Sequence, residues 1–122
     1  MDNISNLFSK IKNGFLSKKT KIVQQESKQI LYILNILIKE GFIKNYKIIE
    51  KKQIIIYLKY KNNKSVIKNI KRISKPGKRI YIKNKDLYKK KGFFIISTSY
   101  GLLTLLEAKK LNTGGELICN IY

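Results

Sequence analysis

Histidine and tryptophan are absent from this chain, and cysteine and proline occur once each. Without histidine, the commonest general base of enzymes is missing. The single cysteine, Cys119, excludes an internal disulfide and a cysteine-based metal site, and the apolar run around it predicts a small buried thiol. No apolar run reaches the roughly 18 residues that a membrane-spanning helix needs. The sequence therefore predicts no enzyme, no metal site, no cofactor, no small-molecule substrate and no membrane insertion.

Acidic residues are scarce as well, with 7 Asp and Glu against 27 Lys and Arg, which leaves a formal net charge of +20 on 122 residues. The excess is spread along the chain, because residues 1–62 carry a net +9 and residues 63–122 a net +11. A protein of this charge repels itself unless a polyanion neutralises it. Since 43% of the residues are hydrophobic, the chain has enough apolar side chains for a core. Both halves of the folded protein are therefore expected to face a polyanion.

Lysine supplies 25 of the 27 cations, and isoleucine, asparagine and tyrosine are abundant. These residues have AT-rich codons. They predict an origin in the compact genome of an organelle, a mitochondrion ahead of a plastid, or in an AT-rich bacterium whose protein acts in the cytoplasm. The first residues resemble neither a secretory signal nor an Arg-rich presequence. We therefore expect the protein to work where it is made, or any presequence to have been removed.

In the first half of the chain, apolar residues recur at helical spacing in two segments and alternate in three others. These patterns predict helices over 4–16 and 27–40 and strands over 20–24, 43–50 and 53–61. Asp2 or Asn3 is expected to cap the first helix and Ser27 the second, since short polar side chains accept hydrogen bonds from free helix amides. Gly41 is expected to end the second helix, and Lys51-Lys52 to form the turn between the last two strands.

The polar segment Asn62-Asn63-Lys64 predicts a boundary between two lobes, residues 1–62 and residues 63–122. In the second lobe the pattern predicts strands over 66–73, 79–82, 93–96 and 116–121, one helical turn over 86–88, and a helix over 104–111. Lys75-Pro76-Gly77-Lys78 and Gly114-Gly115 predict turns. The expected fold class is α+β, with two small lobes that each pack a short mixed or antiparallel sheet against helices.

The most informative segment is Ser97-Thr98-Ser99-Tyr100-Gly101, which follows the apolar strand predicted over 93–96. Three consecutive hydroxyl residues are unfavourable in a hydrophobic core, because each buried hydroxyl needs a hydrogen-bond partner. On a nucleic-acid surface, short hydroxyl side chains and a glycine amide reach phosphates, riboses and base edges. Tyr100 either stacks on a base or ribose, or partly covers the C-terminal helix. Together with the charge, this segment predicts an RNA-binding protein.

Three further groups have both an RNA-binding and a purely structural interpretation. A cation cluster flanks the Pro-Gly turn and either contacts RNA or is simply solvated: Arg72, Lys75, Lys78 and Arg79. Gly114-Gly115-Glu116 either brings backbone close to RNA or only makes a turn. Thr104 and Glu107 fit a capping box, in which each side chain satisfies a free amide, and this favours a helix start over RNA contact.

Five segments give the sequence a family resemblance. They are Lys12-Asn13, Glu40-Gly41-Phe42-Ile43, the run from Arg72 to Tyr81, the run from Ser97 to Thr104, and the run from Gly114 to Cys119. Their order and spacing hold along essentially the whole chain, and a Ser-Thr-Ser-x-Gly block followed by Gly-Gly-Glu before the last strand is highly specific. The sequence resembles the family of small-subunit ribosomal protein number eight of the bacterial type.

The resemblance implies a structural constituent of the small ribosomal subunit that binds the central domain of small-subunit ribosomal RNA and supports its assembly beside neighbouring ribosomal proteins. It also implies RNA contacts at Lys12, Asn13, Ser97, Thr98, Ser99 and the segment from Gly114 to Glu116. The chain departs from the family after the hydroxyl segment, where Leu105 and Leu106 stand. We expect this apolar pair to meet a neighbouring protein in place of RNA.

The candidate RNA-binding residues are Lys12, Asn13, Arg79, Ser97, Thr98, Ser99, Tyr100, Gly101, Gly114, Gly115 and Glu116. Two other functions remain open at this point. A free-standing RNA chaperone or translational regulator would bind many RNAs by charge, and strong discrimination between a junction RNA and a random duplex would exclude a chaperone of that kind. A small RNA-modifying enzyme is disfavoured by the missing histidine, and a turnover assay tests it.

Overall fold

The computed structural model of this protein describes residues 3–122, which fold as two compact units, one ending at Lys68 and the other spanning Asn69–Tyr122. Each unit packs helices against antiparallel strands, so the predicted α+β class is confirmed. The division falls after Lys68 rather than after residue 62, because Asn62 and Asn63 form the turn of a hairpin. Their φ angles of 54° and 64° suit a two-residue hairpin turn. Both strands of that hairpin therefore stay in the first unit.

The first unit contains two helices, a three-stranded sheet and this small hairpin. Its elements are α1 (Asn3–Leu16), β1 (Lys21–Gln25), α2 (Lys28–Lys39), β2 (Ile43–Ile49), β3 (Gln53–Leu58), β4 (Tyr60–Lys61) and β5 (Lys64–Ser65). The sheet has the strand order β1-β3-β2, with β3 in the centre and both pairings antiparallel, and β4 pairs with β5. A 3₁₀ turn at Glu50–Lys52 connects β2 to β3, where the sequence predicted a turn.

Both helices of this unit form where apolar residues recur every three or four positions and so line one side. The buried residues are Ile4, Leu7, Phe8, Ile11, Gly14 and Phe15 in α1 and Ile30, Ile33, Leu34 and Leu37 in α2. The Ser27 hydroxyl accepts a hydrogen bond from the Ile30 amide at 3.2 Å, which confirms the predicted cap of α2. Asn3 lies inside α1, and Asp2, the other predicted cap of α1, lies outside the described residues.

Gln24 of β1 lies on the buried side of its strand and is only 2% exposed. Among residues 3–122 its Oε1 atom has no hydrogen-bond partner. A buried acceptor without a partner costs about 1–3 kcal/mol. We therefore expect Gln24→Leu to raise the free energy of unfolding by about 1–2 kcal/mol in urea denaturation, and Gln25→Leu on the exposed side to leave it nearly unchanged. A less stable Gln24→Leu variant would contradict this prediction.

The second unit is built around a four-stranded path with one additional short strand. Its elements are β6 (Ile70–Arg72), β7 (Tyr81–Ile82), a 3₁₀ turn (Asn84–Lys89), β8 (Phe93–Thr98), β9 (Gly101–Thr104), α3 (Leu105–Leu111) and β10 (Gly115–Ile121). β10 pairs with β8 on one side, and β8 pairs in turn with β9. On its other side, β10 pairs with β7 through its first residues and with β6 through its last residues. All four pairings are antiparallel.

The strand predicted over 66–73 is shorter than expected, because only β6 forms. Ile67 is buried in the first unit and lines a pocket with Phe15 and Leu16 of α1. Ile70 instead pairs with Ile121 of β10 in the second unit. The segment serves two separate cores, so one continuous strand does not form. The predicted turn at 75–78 is confirmed, since its first and last residues exchange two backbone hydrogen bonds.

The core of the second unit combines residues from the sheet, from α3 and from the 3₁₀ turn. It consists of Ile82, Leu87, Phe94, Ile96, Leu105, Ala108 and Leu117. The predicted capping box of α3 is confirmed: the Thr104 hydroxyl accepts from the Glu107 amide and the Glu107 carboxylate from the Thr104 amide. Leu105 belongs to this core, so the expectation that it meets another protein is wrong, whereas Leu106 is exposed. Across residues 3–122 no helix is long and apolar enough to cross a membrane.

Candidate RNA-binding surface

The hydroxyl segment forms a hairpin rather than a loop that leads straight into a helix. Ser97 and Thr98 are the last two residues of β8, Ser99 and Tyr100 form the turn, and Gly101 begins β9. The four residues of β9 are too few to show an alternating pattern of their own, so the sequence did not predict this strand. Pairing with β8 creates this strand, and it fixes the hydroxyl segment in the sheet.

The Thr98 side chain holds the turn together. Its hydroxyl donates a hydrogen bond to the Gly101 carbonyl oxygen at 2.8 Å and accepts one from the Tyr100 amide at 3.0 Å. Gly101 has a φ of 103°, which residues with a side chain rarely adopt. Among the described residues, the hydroxyls of Ser97 and Ser99 make no such hydrogen bonds. Thr98 therefore shapes the hairpin, whereas the hydroxyls of the two serines take no part in holding it.

Four strands each place one residue in a continuous row across this end of the sheet. Glu116 of β10 pairs with Tyr81 of β7 on one side and with Ser97 of β8 on the other, and Ser97 pairs with Leu102 of β9. Directly paired residues place their side chains on the same face of a sheet. An adjacent residue on each of three strands belongs to the core: Ile82, Leu117 and Ile96. Because side chains alternate along a strand, the row lies on the face opposite to this core.

Gly114 and Gly115 allow β10 to approach its neighbours closely at this row. A Cβ atom on Gly115 would lie 2.2 Å from the Ser97 carbonyl oxygen, and one on Gly114 would lie 2.3 Å from the Ile82 carbonyl oxygen. The predicted tight turn at Gly114-Gly115 is wrong, since Gly115 already begins β10 and pairs with Ile82 of β7. The chain turns instead at Asn112, which has a left-handed φ of 51° at the end of α3. These two glycines are therefore required by close packing.

Glu116 and Arg79 form an ion pair with an N–O distance of 2.9 Å. The Arg79 side chain is 51% exposed and that of Glu116 only 15%. An unpaired carboxylate would repel a phosphate, but here the guanidinium neutralises it and remains partly in solvent. Of these two predicted site residues, Arg79 therefore lies partly in solvent, and its ion pair with Glu116 fixes where its guanidinium lies.

Two exposed tyrosines lie in this row or next to it. Tyr100 at the tip of the hairpin is 67% exposed, which favours the stacking interpretation over one in which it covers α3. Tyr81, at the β7 end of the row, is 69% exposed. Tyr81 was not among the predicted site residues, although the alternation of Ile80 and Ile82 already implied that it points away from the core. Exposed aromatic rings of this kind stack on unpaired bases.

Lys12 and Asn13, the remaining predicted site residues, belong to the first unit. Both are exposed on α1. Lys12 lines a pocket together with Phe15, Leu16, Ser65, Ile67 and Lys68. The structure thus brings the candidate RNA-binding residues of the second unit together at one end of its sheet. Lys12 and Asn13 lie in the other unit.

Cys119 is buried in β10, as the sequence predicted. Desolvation by burial raises the pKa of its thiol to about 12, although a backbone hydrogen bond at Ile95 and the charge of Arg72 act in the opposite direction. The thiol is therefore protonated at neutral pH and a poor nucleophile. Within residues 3–122 no three His, Cys, Asp or Glu side chains come together as a metal site.

Comparison with known proteins agrees with the resemblance seen in the motifs. Residues 2–122 match the family model described as Ribosomal protein S8. Small ribosomal subunit protein uS8 of Blochmanniella pennsylvanica is 43% identical over 130 residues, which covers 98% of this chain and 96% of that protein. The uS8 protein of Rickettsia typhi is 41% identical over 128 residues, with 99% and 97% covered. The chain therefore belongs to the ribosomal protein S8 family.

Proposed function

We propose that this protein is a structural constituent of the small ribosomal subunit and binds the central domain of small-subunit ribosomal RNA through the second unit. This proposal rests on one observation. Four neighbouring strands align Tyr81, Glu116, Ser97 and Leu102 in a row, and the hairpin of residues 97–101 adjoins that row. It places free hydroxyls, exposed tyrosine rings and an exposed guanidinium at one end of a rigid sheet. Family membership supports the ribosomal role.

In this proposal the lysines supply affinity and the neutral groups of the hairpin supply specificity. The lysines attract phosphates and give affinity without sequence choice, because every RNA offers phosphates. The neutral groups of the hairpin supply discrimination. Ser97 lies in a strand paired on both sides, and Thr98 fixes the turn, so the positions of these donors are set before RNA binds. A fixed set of donors fits one RNA surface and leaves unpaired groups against others.

We assign the protein to translation as a binding component and not as an enzyme, with ribosomal RNA and neighbouring small-subunit proteins as its partners. Its relatives named above come from bacteria, which supports a bacterial-type ribosome. The preference for a mitochondrion over a plastid or an AT-rich bacterium rests on codon bias alone and stays a prediction.

The double variant Ser97→Ala with Ser99→Ala tests the discriminating role of the hairpin. Losing the partner of a buried hydrogen-bonding group costs about 1–3 kcal/mol. We therefore expect at least about a tenfold loss of affinity for the cognate ribosomal RNA fragment, since ~1.4 kcal/mol is a factor of ten. Affinity for a random RNA duplex should barely change. The measurement is a binding titration of each folded variant against both RNAs.

The matched control is Lys51→Ala with Lys52→Ala at the β2–β3 turn, where both side chains are exposed and far along the chain from the hairpin. It should have a small effect on both RNAs. If the serine variant loses cognate and random binding equally, or neither, the hairpin is not the specificity element. If the unchanged protein prefers no RNA at all, the translational role itself fails and a general RNA chaperone fits better.

A further inference from the structure

A cleft in the first unit lies at the end of the sheet where β2 begins and β3 ends. It is lined by Thr20, Lys44, Tyr57, Leu58, Lys59 and Tyr60. None of these residues belongs to the surface described above, and all of them precede Lys68 in the first unit. These lining residues carry two ammonium groups and three hydroxyl groups, but no carboxylate.

A β-bulge determines where one of the two ammonium groups lies. Ile43 pairs with Leu58 and Asn45 with Tyr57, so that Lys44 is an extra residue between two consecutive pairs. A bulge breaks the regular alternation and redirects the side chain of the extra residue. Lys44 therefore joins the lining of the cleft, to which Tyr57 of the neighbouring strand β3 and Lys59, just after that strand, also belong.

The opposite wall of the cleft is held by hydrogen bonds and ring packing. The Leu58 amide donates to the Thr20 carbonyl oxygen at 2.9 Å, which fixes Thr20 beside the end of β3. The Tyr60 hydroxyl donates to the Lys19 carbonyl oxygen at 2.5 Å, and the Tyr60 ring packs edge-on against Phe15. The cleft is therefore shaped by the fold itself before any ligand arrives.

We propose that this cleft binds the phosphodiester backbone of RNA as a second contact, separate from the hairpin surface of the second unit. Two ammonium groups beside the hydroxyls of Thr20 and Tyr57, in a concavity without carboxylates, complement a phosphate in charge and hydrogen bonding. Lys19 and Lys21 flank Thr20 along the chain and extend the positive charge. This inference rests on the proposed function, because it assigns the same RNA to a further site.

Lys59 has a competing structural role that the test must separate. A Cβ atom on Gly41 would lie 3.6 Å from the Lys59 Nζ atom, so this ammonium sits beside the end of α2. A cation at the C-terminal end of a helix is favourable in itself. Stability must therefore be measured together with RNA binding.

The test is Lys44→Gln with Lys59→Gln, made in the full chain and compared with Lys28→Gln with Lys47→Gln. The control removes the same charge from exposed positions of the first unit outside the cleft. Binding of a small-subunit ribosomal RNA fragment and of a random duplex is titrated from about 50 to 200 mM salt. Melting temperatures are recorded for every variant with and without RNA.

We expect the cleft variant to bind both RNAs about tenfold more weakly, with a salt slope smaller by roughly one per lysine, because phosphates carry no sequence information. The control should keep the slope of the unchanged protein. An unchanged slope in the cleft variant, or equal changes in both variants, would overturn the proposal. The proposal would also be overturned if the cleft variant kept its RNA binding but lost a ribosomal protein partner during assembly. That result would assign the cleft to an acidic protein segment. Failure of the unchanged protein to bind the fragment would instead refute the proposed function.

Discussion

Gly115→Ala is expected to unfold the sheet of the second unit. The new Cβ atom would lie 2.2 Å from the Ser97 carbonyl oxygen and 2.9 Å from the Ser97 carbonyl carbon. Both are backbone atoms of the central pair of strands, so they cannot move aside without breaking the pairing of Glu116 with Ser97. Overpacking of this kind costs about 3 kcal/mol or more, which is over a hundredfold in the folding equilibrium. Urea denaturation and amide exchange in β8 and β10 measure it.

Gly77→Ala is the control for the effect of a methyl group at a glycine. Gly77 has a φ of 82°, but no atom lies within 4 Å of the position of its Cβ. Only the left-handed conformation is then strained, at about 1–2 kcal/mol. If Gly115→Ala were no less stable than Gly77→Ala, β10 would have room to move and the close approach would not be required. A stable Gly115→Ala variant that loses only RNA binding would assign this glycine to the RNA contact itself.

The affinity for ribosomal RNA is expected to fall about a thousandfold between roughly 50 and 200 mM salt. This estimate corresponds to about six or more phosphate contacts. At each contact a lysine or arginine takes the place of a counterion on the phosphate, and the counterion is released. The basis is the net charge of +20, spread over both halves of the chain. A titration of the RNA fragment at several salt concentrations gives the slope directly.

Salt should act differently on the two kinds of contact in this protein. The Ser97→Ala with Ser99→Ala variant should lose affinity for the cognate RNA but keep the slope, because hydroxyl contacts release no counterions. An affinity that stays flat across the salt range would show that the lysines do not face RNA and reflect codon bias alone. A steep slope with equal affinity for all RNAs would favour a protein that binds RNA without choosing among sequences.

The sequence by itself determined the features that depend on neighbours along the chain. α1 and α2 follow from apolar residues three and four positions apart. The cap at Ser27, the capping box of Thr104 and Glu107, and the turn at Lys75–Lys78 each involve residues within four positions of one another. Composition identified a polyanion as the partner, and spaced motifs identified the family, because neither requires knowledge of which strands pair.

Only the tertiary structure decided the features that depend on cross-strand register. Ser97 lies beside Glu116 and Leu102 because three strands align there, and no local pattern states that alignment. The roles of the two glycines before Glu116 were misjudged for the same reason, since their need for close packing appears only when Ser97 and Ile82 are in place. The cleft at Lys44 likewise arises from a bulge in the β2–β3 pairing. Local spacing fixes the helices, their caps and the turns of this fold, whereas nonlocal hydrogen bonding creates β9 and selects the side chains that share a surface.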